Sequence, residues 1–386
     1  MNIFLTGSTG FLGGEILVNL SKRPEVKKVF CLIRAKSEDE SLFRLKKIFA
    51  LHKDNFDDKR IIPIIGDLTD PELTKVLSQN KNLRDINIVV HSAANTSFSP
   101  IYNEMVEKVN ILGLEKVLQW AKNLKNLKTF EYIGTATICG EGVSNRIVFE
   151  DESPNLNSKH FVKYTYTKML GEISIHNNLP ENKILIARPS IIMGDTRTWV
   201  PRSYVILWAL ATGNLMRLVP VNPKANLDIV PVDYTARAIV ELLFVKRNHS
   251  IYHISSGTEC MTSPIKLTKT FENNFTDRPP FKFVNIEMIQ QMKNWAKGRL
   301  QPNNTLFQYP EYLEYWERIF DDKGSLRILF AGLEPYLKFI ELGQIFDNTR
   351  LLKDTNMGNP EPAHEYIKRS VKYLENIDVF EGALDP

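Results

Sequence analysis

Five residues, Asn2 to Thr6, run straight into Gly7-Ser8-Thr9-Gly10-Phe11-Leu12-Gly13, after which an amphipathic stretch continues to Ser21. A strand that ends in three such glycines and turns at once into a helix constrains the chain strongly. The glycines permit a tight turn and let the backbone approach a pyrophosphate, and the helix start turns free N–H groups and a partial positive charge towards it. A second β-branched run, Lys28 to Ile33, ends about 20 residues past Gly13, the spacing of a βαβ unit that holds a dinucleotide. Gly7, Thr9, Gly10, Phe11, Leu12 and Gly13 are therefore candidate cofactor contacts.

The same alternation continues. Arg60 to Ile65, Ile88 to His91, Thr129 to Ile133, Lys183 to Ala187 and Ser250 to Ile254 read as further strands, nearly unbroken in apolar residues because both sheet faces would be covered. Helical periodicity fills Phe11 to Ser21, Ser41 to Phe49, Met105 to Ala121, Tyr164 to His176 and Val232 to Phe244. The fold class is α/β, a Rossmann-type doubly wound parallel sheet with a smaller, mainly helical C-terminal lobe. Residues 1–257 form the dinucleotide-binding domain, with 196–226 contributing to the substrate side, and residues 258–386 form the lobe. Between Phe281 and Phe346 the chain carries 13 aromatics in 66 residues, against 10% overall. Such rings either build the core of a small lobe or line a pocket for an apolar substrate. Trp199 to Met216 is a second candidate wall.

At 386 residues, 43% hydrophobic and 24% charged, the composition excludes long disorder and fibrous repeats. A net charge of +4 is too mild to favour nucleic acid as partner. Cys31, Cys139 and Cys260 show neither CxxC nor metal-like spacing, so free thiols in a reducing, cytoplasmic setting and no metal are expected. The first residues lack a basic region before an apolar stretch, and the longest greasy run, Tyr204 to Ala211, falls short of the ~20 residues a bilayer crossing needs.

An NAD-selective site places Asp or Glu at the end of the second strand, and this chain places Arg34 there, suited to a 2′-phosphate. Arg44, ten residues on, either closes a second arm on that phosphate or is a solvated helix arginine. Asp67 and Leu68 are placed to meet the adenine, and Ser92, Ala93 and Ala94 are small where the cofactor passes. His91 reads as a core histidine. Tyr164 and Lys168 stand four apart on one helix face, so the ammonium would lie near the phenol and favour phenolate, whereas Tyr166 points elsewhere. Thr135, just past a strand, puts a hydroxyl at the sheet edge where ligands of open α/β sheets bind.

Together TGSTGFLG, HSAANTSF, YIGTATICG, YTYTK and RPSIIMGD, within residues 1–257, resemble the extended short-chain dehydrogenases/reductases. Among these they are most similar to the NADPH-dependent acyl-thioester reductases, the group of fatty acyl-CoA reductases and the terminal reductase domains of carboxylic acid reductases and peptide synthetases. The resemblance implies Thr135 as the hydroxyl that orients the carbonyl, Tyr164 as proton donor, and Lys168 as the cation that tunes it and holds the nicotinamide ribose. It further implies that Pro189, Ser190 and Ile191 border the nicotinamide and that Asn110 supports the catalytic helix beside the cofactor. Thr135 stands where many relatives carry serine and keeps the hydroxyl. The implied reaction takes an acyl thioester, already activated on coenzyme A or a carrier protein, to an aldehyde, which a second turn of the same site could take to an alcohol. Two rivals share the motifs: a nucleotide-sugar epimerase or dehydratase that regenerates its cofactor, and a non-catalytic NADP-sensing regulator. Arg34 and the aromatic lobe argue against the first, and the Tyr164–Lys168 pair argues against the second.

Overall fold

A computed structural model describes residues 1–141, 143–197, 207–299, 304–320 and 322–384. Seven parallel strands, β1 (Asn2–Thr6), β2 (Lys28–Ile33), β3 (Ile61–Ile65), β4 (Ile88–His91), β5 (Thr129–Ile133), β6 (Ile184–Pro189) and β7 (Ile251–Ile254), lie in the order β3, β2, β1, β4, β5, β6, β7. The order reverses direction at β1, whose Thr6 pairs with Leu32 on one side and His91 on the other. A crevice opens beyond the strand ends at such a reversal, and ligands of this fold bind there. Alternate residues serve opposite layers: Ile3 and Leu5 enter one core, and Phe4 enters the other. That two-sided burial is why the strands read as continuous apolar runs.

Helices α1 (Phe11–Ser21), α2 (Glu38–Leu51), α3 (Leu114–Ala121), α4 (Lys163–Asn178), α5 (Leu207–Met216), α6 (Val232–Phe244), α7 (Pro264–Phe271), α8 (Met288–Ala296) and α9 (Lys323–Leu342) supply the layers and the lobe. α2 begins three residues before the expected start because Ser37 caps it, accepting from the Glu40 N–H at 3.1 Å. The expected helix from Met105 to Ala121 is interrupted: Asn103–Glu107 passes into a π-turn, Lys108–Gly113, before α3 begins. The cause is the pull of Asn110 towards Asn95 and Thr167, described below. Of the candidate wall Trp199 to Met216, residues 199–206 fall outside the described residues, and the rest is α5.

Most of the lobe's aromatics make its core. Trp316 packs between Trp295 and Phe330, ring centres 5.8 and 5.4 Å away, and its indole N–H donates to the Met216 carbonyl at 2.8 Å. Short two-stranded sheets, separate from the main one, join distant segments. Lys282–Val284 pairs with Leu218–Pro220, and Ile345–Phe346 pairs with Ile147–Val148. Leu351 is buried in one face of the main sheet's core, and the Tyr252 hydroxyl on β7 donates to Asp354 at 2.6 Å. No helix among the described residues is long and apolar enough to cross a membrane.

Candidate functional site

The turn after β1 is built for close approach. Gly7 has φ +75°, and a Cβ there would lie 2.8 Å from the Ala93 nitrogen. A Cβ at Gly13 would sit 2.0 Å from the Gly7 carbonyl oxygen, so only hydrogen fits at either position. No side chain caps the start of α1, so its first-turn N–H groups stay available to an anion. The Thr6 hydroxyl accepts from the Ala93 N–H at 3.1 Å and lies 3.2 Å from His91 Nδ1, which ties the ends of β1 and β4 together. Burial, and then the charge of Lys168, push the His91 imidazole down to about 3, so it is a neutral core group as expected.

Past the turn, Arg34 is exposed at the end of β2 and makes no ion pair with a described residue. Arg44 reaches back from α2, donating to the Arg34 carbonyl at 2.5 Å and to the Thr9 hydroxyl at 2.9 Å. It therefore braces the glycine turn against the end of β2 and brings its charge to the same spot. Asp67 closes its own loop by accepting from Thr69 N–H and Oγ1 at 2.8 and 2.9 Å. The Leu68 carbonyl accepts from Lys116 Nζ at 2.8 Å.

Tyr164 and Lys168 share one face of α4, yet no hydrogen bond joins them. The Lys168 ammonium, 3% exposed, donates to the Ile133 carbonyl at 2.6 Å and lies 4.8 Å from the centre of the Tyr132 ring. Burial lowers it to about 7. The Tyr164 phenol is raised above its ordinary value by burial, the reverse of the expected tilt towards phenolate. The reason is geometric: the ammonium is spent on the end of β5 instead of on the phenol. A protonated phenol is the form that can donate. The Thr135 hydroxyl is buried, 3.0 Å from the Thr137 hydroxyl.

Two buried contacts hold α4 in place. Asn110 donates from Nδ2 to the Asn95 carbonyl at 2.9 Å and to Thr167 Oγ1 at 3.0 Å, and accepts from the Asn95 N–H at 2.7 Å. Asn110 does not line the cavity, and its contacts tie α4 to the segment at Asn95. Glu172 on α4 forms a buried double contact with Arg188 on β6, one arm at 3.0 Å through Nε and the other through Nη2.

Every other candidate, including Pro189, Ser190 and Ile191 at the end of β6, lines one cavity of about 700 Å³. It runs from the glycine turn, past Thr135, Tyr164 and Lys168, into a chamber walled by Met193, Leu210, Leu218, Leu267, Met292 and Leu337. Between the two parts stands an aromatic collar: Phe98 lies 6.1 Å from Tyr164, 4.7 Å from Tyr336 and 5.3 Å from Phe339, ring centre to ring centre. Sequence reasoning had not singled out Phe98, Thr137, Tyr336 or Phe339. Phe98 sits inside HSAANTSF, and Tyr336 and Phe339 stand three apart within the aromatic-rich stretch, one helical face of α9. The glycine close approaches and the uncapped α1 fit a nicotinamide dinucleotide.

Against known proteins, the chain is 29% identical over 259 residues to a linear gramicidin synthase protein of Brevibacillus parabrevis, covering 65% of this chain and 5% of that protein. It is 27% identical over 300 residues to fatty acyl-CoA reductase 1 of Gallus gallus, covering 66% of this chain and 58% of the relative. It thus spans less than two thirds of the length of these curated relatives. In architecture it is similar to the terminal R domain from the myxalamid PKS-NRPS biosynthetic pathway, with a TM-score of 0.72 at 22% identity, over 99% of this chain and 92% of that one. Residues 5–239 match the NAD-binding family described as "Male sterility protein", and the chain belongs to that family.

Proposed function

We propose that this chain reduces an acyl thioester, carried on coenzyme A or a carrier protein, with NADPH. The observation that carries the reading is the continuity of the cavity: a dinucleotide groove opens, through the Phe98–Tyr336–Phe339 collar, directly into an apolar chamber fitted to an acyl chain. Residues 1–257 would hold the cofactor and the lobe the acyl group. Arg34 and Arg44 would hold the 2′-phosphate, with Asp67 and Leu68 beside the adenine. Pro189 to Ile191 would flank the ring that, when bound, supplies hydride to the thioester carbonyl carbon.

The chain's own part is to position and to donate. Hydroxyls at Thr135 and Tyr164 would face the carbonyl oxygen, where negative charge develops, and donors aimed at that point contribute most to rate. Tyr164, kept protonated by burial, would give its proton to that oxygen and form a hemithioacetal. Collapse breaks the carbon–sulfur bond, with the proton passing to sulfur, and releases aldehyde and thiol. Lys168 would hold the nicotinamide ribose through its buried ammonium. An apolar chamber offers a nucleotide-sugar diphosphate no partner, which disfavours the epimerase reading.

The test is a panel of acyl-CoAs of graded length with NADPH or NADH, following absorbance and identifying products by mass. Net NADPH loss with aldehyde or alcohol formation is expected. Tyr164→Phe should lower kcat by about 10²- to 10⁴-fold while NADPH still binds. Turnover of a sugar nucleotide with no net change in cofactor would refute the proposal.

A further inference from the structure

Thr135 does not stand alone past the end of β5. It caps a single short turn, Ala136–Cys139, and its Oγ1 accepts from the Thr137 N–H at 3.4 Å. The Thr137 hydroxyl lies 3.0 Å from the same Oγ1, and both side chains line the cavity, as does Tyr164. Among the described residues neither hydroxyl has another partner. Thr135 is buried and Thr137 half-buried, so the pair sits in the wall with one face towards the cavity.

A hydroxyl carries one proton and two lone pairs, and it rotates. The Thr137 N–H occupies one lone pair of Thr135, which leaves two arrangements for the hydroxyls. In the first, Thr135 donates to Thr137 and its single proton is spent within the wall. In the second, Thr137 donates to Thr135, both Thr135 lone pairs are filled, and the Thr135 proton is left for a ligand in the cavity. A thioester carbonyl oxygen can only accept, so a bound substrate selects the second arrangement. Negative charge growing on that oxygen then strengthens both bonds of the chain, because each polarises the next. We propose that Thr137 is a positioning residue for the reduction: its hydroxyl donates to Thr135 Oγ1 and thereby directs the Thr135 proton to the reacting carbonyl oxygen. Burial keeps the Tyr164 proton in place, whereas the Thr135 proton needs a neighbour to aim it.

This proposal rests on the thioester-reductase reading and is tested so that the two can fail separately. Thr137→Val removes the donating hydroxyl at nearly constant volume and keeps the backbone N–H. With an acyl-CoA that the wild type reduces, T137V should lower kcat roughly 3- to 10-fold, the worth of one hydrogen bond, while KM and the calorimetric Kd for NADPH stay within about twofold. Thr137→Ser, which restores the donor, should recover most of the rate. The decisive measurement is a double-mutant cycle with Thr135→Val: in that background T137V should cost less than about twofold, since no proton remains to be aimed. Wild-type kcat in T137V, an equal loss on both backgrounds, or T137S as slow as T137V overturns the assignment of Thr137 and leaves the reductase reading intact. If T137V fails to fold, Thr137→Ala takes its place in the same cycle. Absence of NADPH consumption by the wild type with every thioester overturns both.

Discussion

Arg34→Ala tests the cofactor assignment most directly. Arg34 stands exposed at the end of β2 with no ion pair among the described residues, so its removal leaves no buried charge stranded and costs the fold little. What it removes is a charge-assisted contact to a 2′-phosphate, worth about 1.5–3 kcal/mol when made. Exposure and screening at physiological salt place the value in the lower part of that range, about 1.5–2 kcal/mol, or roughly 10- to 30-fold in affinity. NADH has no such phosphate and should bind R34A within about twofold of wild type. Arg44→Ala should behave differently, because Arg44 braces the Arg34 carbonyl and Thr9. Its loss should weaken both nucleotides, and NADPH the more, because a charge beside the 2′-phosphate goes with the brace. Calorimetric titration of both nucleotides into wild type, R34A and R44A, repeated at high salt, reads these differences. If R34A lost NADPH and NADH affinity equally, or lost neither, the reasoning from strand end to phosphate would be wrong.

Two further predictions concern α4. Lys168 titrates near 7 when folded and near 10.5 when unfolded, so the unfolded chain holds more protons between those values and stability should rise with pH across that window. The cost of burying the ammonium is full below about pH 7, and Lys168→Met should flatten the slope in denaturant titrations at pH 7 and 9.5. Glu172→Ala strands the Arg188 guanidinium, itself 1% exposed, and should destabilise by about 3–5 kcal/mol in urea unfolding, with E172M/R188M recovering most of the loss.

The layered sheet was legible because its physics is local: both-sided burial writes strands as apolar runs, and three glycines after the first of them leave few alternatives. α1 and α6 fall where periodicity placed them, Phe11–Ser21 and Val232–Phe244. The break at Lys108–Gly113 was not legible, because it depends on Asn110 meeting Asn95 and Thr167, the latter a contact 57 residues away in sequence. Nor was the electrostatic partner of Lys168, since helical spacing reports which face a side chain takes and not which carbonyl waits there. Tyr164, Lys168 and Thr135 line one cavity, and of the chamber wall the α5 part lies within the candidate wall Trp199 to Met216, while the parts from α7, α8 and α9 could be seen only as a surplus of rings.

The chain past Gly257 is tied back to the residues before it at two places, through Ile345–Phe346 on Ile147–Val148 and through Tyr252 on Asp354. A jaw hinged near Gly257 would have to tear both fastenings to gape. Under the proposed function, a slender acyl chain would thread past those ties lengthwise, its carrier left at the mouth.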